Sequence, residues 1–150
     1  MKKLWLLPVM LVGIILAGCS NDGLSGVKPP KTFVEVGSER VETVLGTYCW
    51  SSMCVDTAGP IELMEGKETI KVQPGETITM VMDYEPQPSE TSLYMYQESQ
   101  ETEVDVLDNQ FTAPTEKGIY YYSYGVWWMS EKEENVSYGD AFYAFALEVE

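Results

Sequence analysis

Cys49, Met53 and Cys54 fall within one short stretch, Tyr48-Cys49-Trp50-Ser51-Ser52-Met53-Cys54-Val55-Asp56, and their sulfurs admit three chemistries. Two thiols five positions apart can close a disulfide; reduced and buried they are inert; and two thiolates with a thioether form a soft ligand set that suits Cu(I). The 8 methionines of the chain add little weight to copper, because most sit singly in apolar stretches where Met fills cores. A thioredoxin-type motif needs Cys-x-x-Cys, which this pair is not. The chain has no histidine, so a Ser-His-Asp triad, a Cys-His pair and a His-ligated zinc centre are excluded within it. Acid–base chemistry would fall to carboxylates, and 24 of them offer no means of choosing a pair. Asp105, Asp108 and Asn109, or Asp83 with Glu85, supply oxygen ligands for Ca²⁺ but lack the ordered spacing of an EF-hand loop. An exposed acidic strand face accounts better for Glu101, Glu103 and Asp105, since charge there discourages edge-to-edge association. No cofactor is implied.

The compartment is written in the first 19 residues. Lys2 and Lys3 precede an apolar stretch from Leu4 to Gly18, broken by Pro8, in the pattern of a secretory signal. The stretch is shorter than the roughly 20 apolar residues of a membrane-spanning helix. It closes in Leu16-Ala17-Gly18-Cys19, which resembles the lipobox of bacterial lipoproteins. That resemblance implies cleavage before Cys19, acylation of its sulfur, and residence on the extracytoplasmic face of the cell membrane, with the bilayer as a partner through the N-terminal lipid. Residues 1–18 are then signal peptide, 19–31 the lipidated N-terminus and a tether, and 32–150 one folded domain. Outside the cytoplasm Cys49 and Cys54 pair more often than they stay free or bind metal. A ring so short contributes only about 2 kcal/mol in the chain-entropy model, so the bridge would pin a turn and not the whole fold.

Loss of Lys2 and Lys3 leaves 7 basic against 24 acidic side chains, a formal charge of −17. Such a surface repels nucleic acid and anionic headgroups and keeps a tethered domain in solution. Ser20 to Lys31, rich in Gly, Ser and Pro, reads as the tether, and about 12 residues reach at most about 40 Å.

Beyond it the signals are those of strands between turns, so the class is all-β. Strands are expected at Thr32–Val36, Val41–Trp50, Thr69–Val72, Thr77–Tyr84, Leu93–Gln97 and Val104–Leu107, then near Phe111, from Ile119, and at Ala141–Val149. Gln73-Pro74-Gly75-Glu76 marks a turn, and the strands flanking it should form a hairpin. Pro60–Gly66 is expected to make a short helical turn. In the last strand Ala141, Tyr143, Phe145, Leu147 and Val149 share one face by period-two alternation and should be core. Phe142, Ala144 and Ala146 make the opposite face unusually apolar, which predicts partial cover there.

Glu116-Lys117-Gly118-Ile119-Tyr120-Tyr121-Tyr122 resembles the acid-x-Gly-x-Tyr-x-Cys segment that opens strand F of immunoglobulin-like sandwiches. The resemblance implies an antiparallel immunoglobulin-like β-sandwich with Tyr120 as a tyrosine corner, its hydroxyl bonded to backbone upstream. Tyr122 stands where the cysteine would be, so the usual inter-sheet bridge is missing. The whole chain also resembles small Gram-positive lipoproteins carrying Cys-Trp…Cys-Val-Asp, a likeness that supplies no activity.

The aromatic strand holds Tyr120, Tyr121, Tyr122, Tyr124, Trp127 and Trp128. Neighbours on a strand point to opposite faces, so Trp127 and Trp128 cannot both be buried on one side. Trp127, Trp128 and Tyr124 beside the loop Ser130–Gly139 are the candidate ligand-binding residues, able to stack on a sugar or peptide. The favoured expectation is therefore a non-enzymatic, membrane-anchored binding module whose ligand is an envelope protein, peptide or glycan. The alternative is a small Cu(I) or thiol-redox protein using Cys49, Met53 and Cys54.

Overall fold

A computed structural model describes residues 23–150. Cys19 and the signal stretch therefore lie outside the described residues. Among the described residues no helix is long and apolar enough to cross a membrane.

Eleven strands, β1 Thr32–Val36, β2 Glu39–Glu42, β3 Val44–Trp50, β4 Met53–Val55, β5 Ile70–Val72, β6 Thr77–Met82, β7 Glu90–Gln97, β8 Gln100–Glu103, β9 Gln110–Thr112, β10 Gly118–Met129 and β11 Ser137–Val149, make two facing sheets. The smaller runs β2-β1-β6-β9; the larger runs β4-β3-β11-β10-β7-β8, with β5 added parallel to the end of β11. From β5 onward this is the immunoglobulin-like order: β6 and β9 sit as strands B and E, β10 and β11 as F and G, β7 and β8 as C and C′, and β5 as the short parallel partner of G. β1 lies antiparallel to β6 where strand A would be, and β3 and β4 extend the larger sheet beyond G.

Alternation in the two longest strands builds the core. Ala141, Tyr143, Phe145, Leu147 and Val149 are all buried, as are Tyr120, Tyr122, Tyr124, Val126 and Trp128 of β10. Tyr120 is a tyrosine corner: its hydroxyl donates to the Glu116 carbonyl at 2.9 Å. Tyr122 stands where a bridging cysteine would be and fills the space with rings instead, stacked on Phe145 at 4.8 Å and tilted against Phe111 of the facing sheet at 5.4 Å. Apolar burial of three rings thus replaces a covalent tie between layers.

Three element expectations need correction. The expected strand Val41–Trp50 breaks at Thr43, where the chain leaves the small sheet for the large one. Thr43 is buried there, its N–H and hydroxyl donate to the Thr32 carbonyl at 3.0 and 3.1 Å, and the two threonine hydroxyls bond each other. The turn at Pro74-Gly75 forms, with Glu76 N–H donating to the Gln73 carbonyl at 3.1 Å, but it joins strands in different sheets and no hairpin results. Ile70 and Val72 enter the core from one layer and Ile78 and Met80 from the other, which a one-dimensional pattern does not distinguish. Finally, the strand expected at Val104–Leu107 lies earlier, at β8, because the turn after Gln97, with Glu98 at φ 54°, starts the ladder at once. Asp108 and Asn109, with φ of 51° and 61°, form the two-residue turn that closes Leu107 on Gln110. Their side-chain type serves that turn, and among the described residues no group of three or more His, Cys, Asp or Glu converges to hold a metal.

A short helix, α1 Pro60–Leu63, lies on the outer face of the larger sheet. Leu63 and the following Met64 pack on Val44, Tyr121, Ala144 and Ala146, which is the cover that the small apolar residues of β11 called for.

Residues 23–31, read from composition as tether, have no regular secondary structure yet lie against the domain. Trp50 Nε1 donates to the Gly26 carbonyl at 3.1 Å, Tyr84 accepts from Ser25 N–H at 2.7 Å and donates to the Ser25 carbonyl, and Tyr143 donates to the Pro30 carbonyl at 2.6 Å. Leu24 packs on the core beside Gly139, and Trp50, Tyr84 and Trp128 meet edge to face beneath.

Candidate binding face

The hairpin of β3 and β4 brings Cys49 and Cys54 directly opposite, and they are bonded as a disulfide with Cα atoms 4.1 Å apart. Ser51 and Ser52 turn the chain with φ of 49° and 64°, the left-handed pair a two-residue hairpin needs. Both thiolates of the Cu(I) set are used in this bond, and Met53 stands 57% exposed at the hairpin tip.

The candidate ligand-binding residues separate by strand alternation. Tyr124 and Trp128 are 4% exposed and point between the sheets, so their expected role in stacking on a ligand is corrected: they are core. Trp128 Nε1 donates to the Pro86 carbonyl at 2.7 Å, which satisfies its one polar group inside. The buried tyrosines are poor ionisers: burial raises the Tyr122, Tyr124 and Tyr143 hydroxyls above the usual phenol range. Trp127 faces the other way, half-buried on the outer face of the larger sheet.

That outer face is built by register. Successive rows across β7, β10 and β11 read Tyr96-Tyr121-Ala146, Tyr94-Ser123-Ala144, Ser92-Gly125-Phe142 and Glu90-Trp127-Asp140. Leu63 and Met64 close the first rows; in the last two Gly125 is buried under the indole, Phe142, Trp127 and Asp140 are half-buried, and Glu90 is exposed. Gly125 makes this packing work. A Cβ there would come within 2.6 Å of Trp127 Cη2, 2.9 Å of Ser92 Oγ and 3.0 Å of Phe142 Cε1, so only a bare backbone lets the indole lie over the strand. The ring is held edge-to-face by Phe142, centroids 5.3 Å apart at 89°. Ser92 Oγ, shut in beneath, has no hydrogen-bond partner among the described residues.

Two depressions flank this arrangement. One, about 290 Å³, lies between the approach to α1 and the sheet and is lined by Gly46, Thr57, Pro60, Leu63, Ser123 and Phe142 among others. The other, about 320 Å³, is lined by Glu90, Trp127, Met129, Asn135 and Ser137 and is where the open face of the indole borders the F–G loop. Across the sheet, β8 sets Glu101 opposite Tyr96, whose hydroxyl is pushed up to about 12 first by burial and then by its hydrogen bond to that carboxylate. Sequence alternation alone could have parted Trp127 from Trp128. Glu90, Ser92, Gly125, Asp140 and Phe142 become partners only through strand register, which the sequence did not expose.

No protein-family model, curated protein or solved structure matches this chain.

Proposed function

We propose that the protein is an extracytoplasmic lipoprotein, anchored through acylated Cys19, whose immunoglobulin-like domain is a non-enzymatic binding module working through the outer face around Trp127. The observation that carries the binding reading is the half-buried indole fixed over Gly125 and bordering a surface depression beside the exposed Glu90. A large aromatic held in one orientation and left reachable is a surface poised to stack on a ligand at small ordering cost. Anchoring is supported by the lipobox resemblance and by the short span between Cys19 and the docked Leu24.

Two measurements test it. Mass spectrometry of the mature N-terminus should find a diacylglyceryl-modified Cys19; an unmodified Cys19, or cleavage far from Gly18, removes the anchor from the reading. Capture of envelope components by the wild-type protein should be lost with Trp127→Ala, and equal capture by both moves the binding face elsewhere. A second reading, thiol–disulfide exchange at Cys49–Cys54, draws support from the exposure of Cys54 on an edge hairpin of three paired residues. It requires the bridge to be reduced and reformed by an envelope dithiol without loss of the fold.

A further inference from the structure

We infer that the cleft between the approach to α1 and the outer face of the larger sheet is a second binding site, which takes one uncharged pyranose ring of a glycan. The inference goes beyond the Trp127 reading, and its test does not involve that residue. An irregularity in β3 builds the cleft. Ala141 and Tyr143 of β11 stand opposite Tyr48 and Leu45, so Phe142 alone faces both Gly46 and Thr47. Leu45 and Tyr48, three positions apart, both face the core, and the extra residue therefore turns Gly46 and Thr47 together to the outer side. Gly46 lets Leu63 close over the strand: a Cβ there would meet Leu63 Cδ1 at 3.1 Å and the Phe142 carbonyl oxygen at 3.2 Å. β10 adds Ser123, which alternation directs outward between the buried Tyr122 and Tyr124.

The cleft holds about 290 Å³, near the lower end for a small-molecule site, and no charged side chain lines it. In a chain of 24 acidic and 9 basic residues that sets it apart. The depressions beside Trp127, Leu24, Pro30 and the Cys49–Cys54 hairpin each include at least one charged residue. An ionised ligand would lose water here without gaining a counter-charge, so the occupant is neutral. Part of the lining is polar. Thr57 N–H donates to Thr47 Oγ1 at 3.1 Å, the two hydroxyl oxygens lie 3.3 Å apart, and the Thr57 hydroxyl donates to the Ala58 carbonyl at 3.1 Å. With the Thr57 proton on Ala58 and the Thr47 proton directed at Thr57, each oxygen keeps a lone pair, and together they accept from two adjacent O–H donors. The Ser123 hydroxyl adds a group that donates or accepts. Pro60, Leu63, Phe142 and Ala144 make the rest apolar. A pyranose carries both kinds of surface, vicinal hydroxyls at its rim and C–H groups on its face, whereas a hydrocarbon would leave the threonine oxygens unpaired.

Saturation-transfer NMR of the mature protein in dodecylphosphocholine micelles, which carry no sugar, tests the inference. The probes are glucose, galactose and N-acetylglucosamine, with glucuronate and glucosamine as charged rings of the same shape, in about 150 mM salt to screen the field of the chain. At least one neutral sugar should bind with a Kd on the order of millimolar, and the charged rings at least about threefold more weakly. Thr47→Val, which keeps the shape and removes one acceptor, should weaken binding about fivefold. Ser123→Leu, which fills the cleft, should abolish it, and urea midpoints show whether each variant is folded. Should Ser123→Leu fail to fold, Thr47→Val decides alone. Silence from all three neutral sugars, equal binding of charged and neutral rings, or a sugar response unchanged in the folded variants would each overturn the assignment. Envelope capture by Trp127→Ala decides the other face separately, so failure of one reading is distinguishable from failure of the other.

Discussion

Gly125→Ala isolates the device that holds Trp127. The substitution asks little of the backbone, because Gly125 lies in a regular strand without positive φ, and removing a glycine's freedom from the unfolded chain would by itself stabilise by about 0.4 to 1 kcal/mol. Against that, the new methyl must fit among atoms at 2.6, 2.9 and 3.0 Å. The Ser92 hydroxyl can rotate, but Trp127 cannot retreat without leaving Phe142. Forcing a methyl into such a site costs about 1 to 3 kcal/mol, so the net loss should be about 1 to 2 kcal/mol. Urea unfolding reads this as a lower midpoint at unchanged slope. Trp127→Ala removes the obstacle, so in that background Gly125→Ala should cost nothing or stabilise, a coupling of about 1 to 3 kcal/mol between the two positions. A Gly125→Ala protein as stable as the wild type, or equal effects with and without the indole, would refute the account of the ring lying on bare backbone.

Tyr120→Phe should destabilise the domain by about 1 kcal/mol or more, since the hydroxyl bond to the Glu116 carbonyl is lost; a matched Tyr138→Phe, at an exposed position near the start of β11, should cost less by urea midpoint. Stability should fall steeply above pH 10. Tyr96, Tyr122, Tyr124 and Tyr143 have folded pKa values raised above their unfolded ones, so the unfolded chain releases their protons first. Their contribution is whole below about pH 10 and is lost progressively as the pH rises past it, which denaturant midpoints measured from about pH 9 upward will show. Reduction of Cys49–Cys54 should cost only about 2 kcal/mol and leave far-UV circular dichroism nearly unchanged, because the ring it closes is short.

Period-two alternation made the inner face of β11 legible, and the Gly118-Ile119-Tyr120 segment announced the corner that opens β10. Both signals are local: they depend on residues one or two positions apart. What escaped the sequence depends on which strands meet. Val72 and Thr77 are separated by a single turn, yet their strands enter opposite sheets, because buried apolar residues of either layer look alike in one dimension. The candidate site was half visible for the same reason. Trp127 stood out by type, whereas Gly125, Phe142 and Ser92 acquire meaning only when β7, β10 and β11 are laid side by side. Tyr124 and Trp128 were drawn into the expected site by their chemistry and removed from it by the direction they face.

The docked N-terminal segment has a mechanical consequence. Its fasteners, Tyr84 on Ser25, Trp50 on Gly26 and Tyr143 on Pro30, are spaced along the chain. On the proposed lipoprotein reading, tension from an acylated Cys19 would meet them in series and peel them one after another, a geometry that yields at low force because no two share the load. Release as far as Lys31 pays out about 27 Å of extra leash. Further pull then reaches β1, where the ladders to β2 and β6 take the strain together. If the chain is anchored at Cys19, the docked segment 24–31 would hold the domain close at rest and lengthen under drag, and the Trp127 face would follow without the sandwich itself giving way.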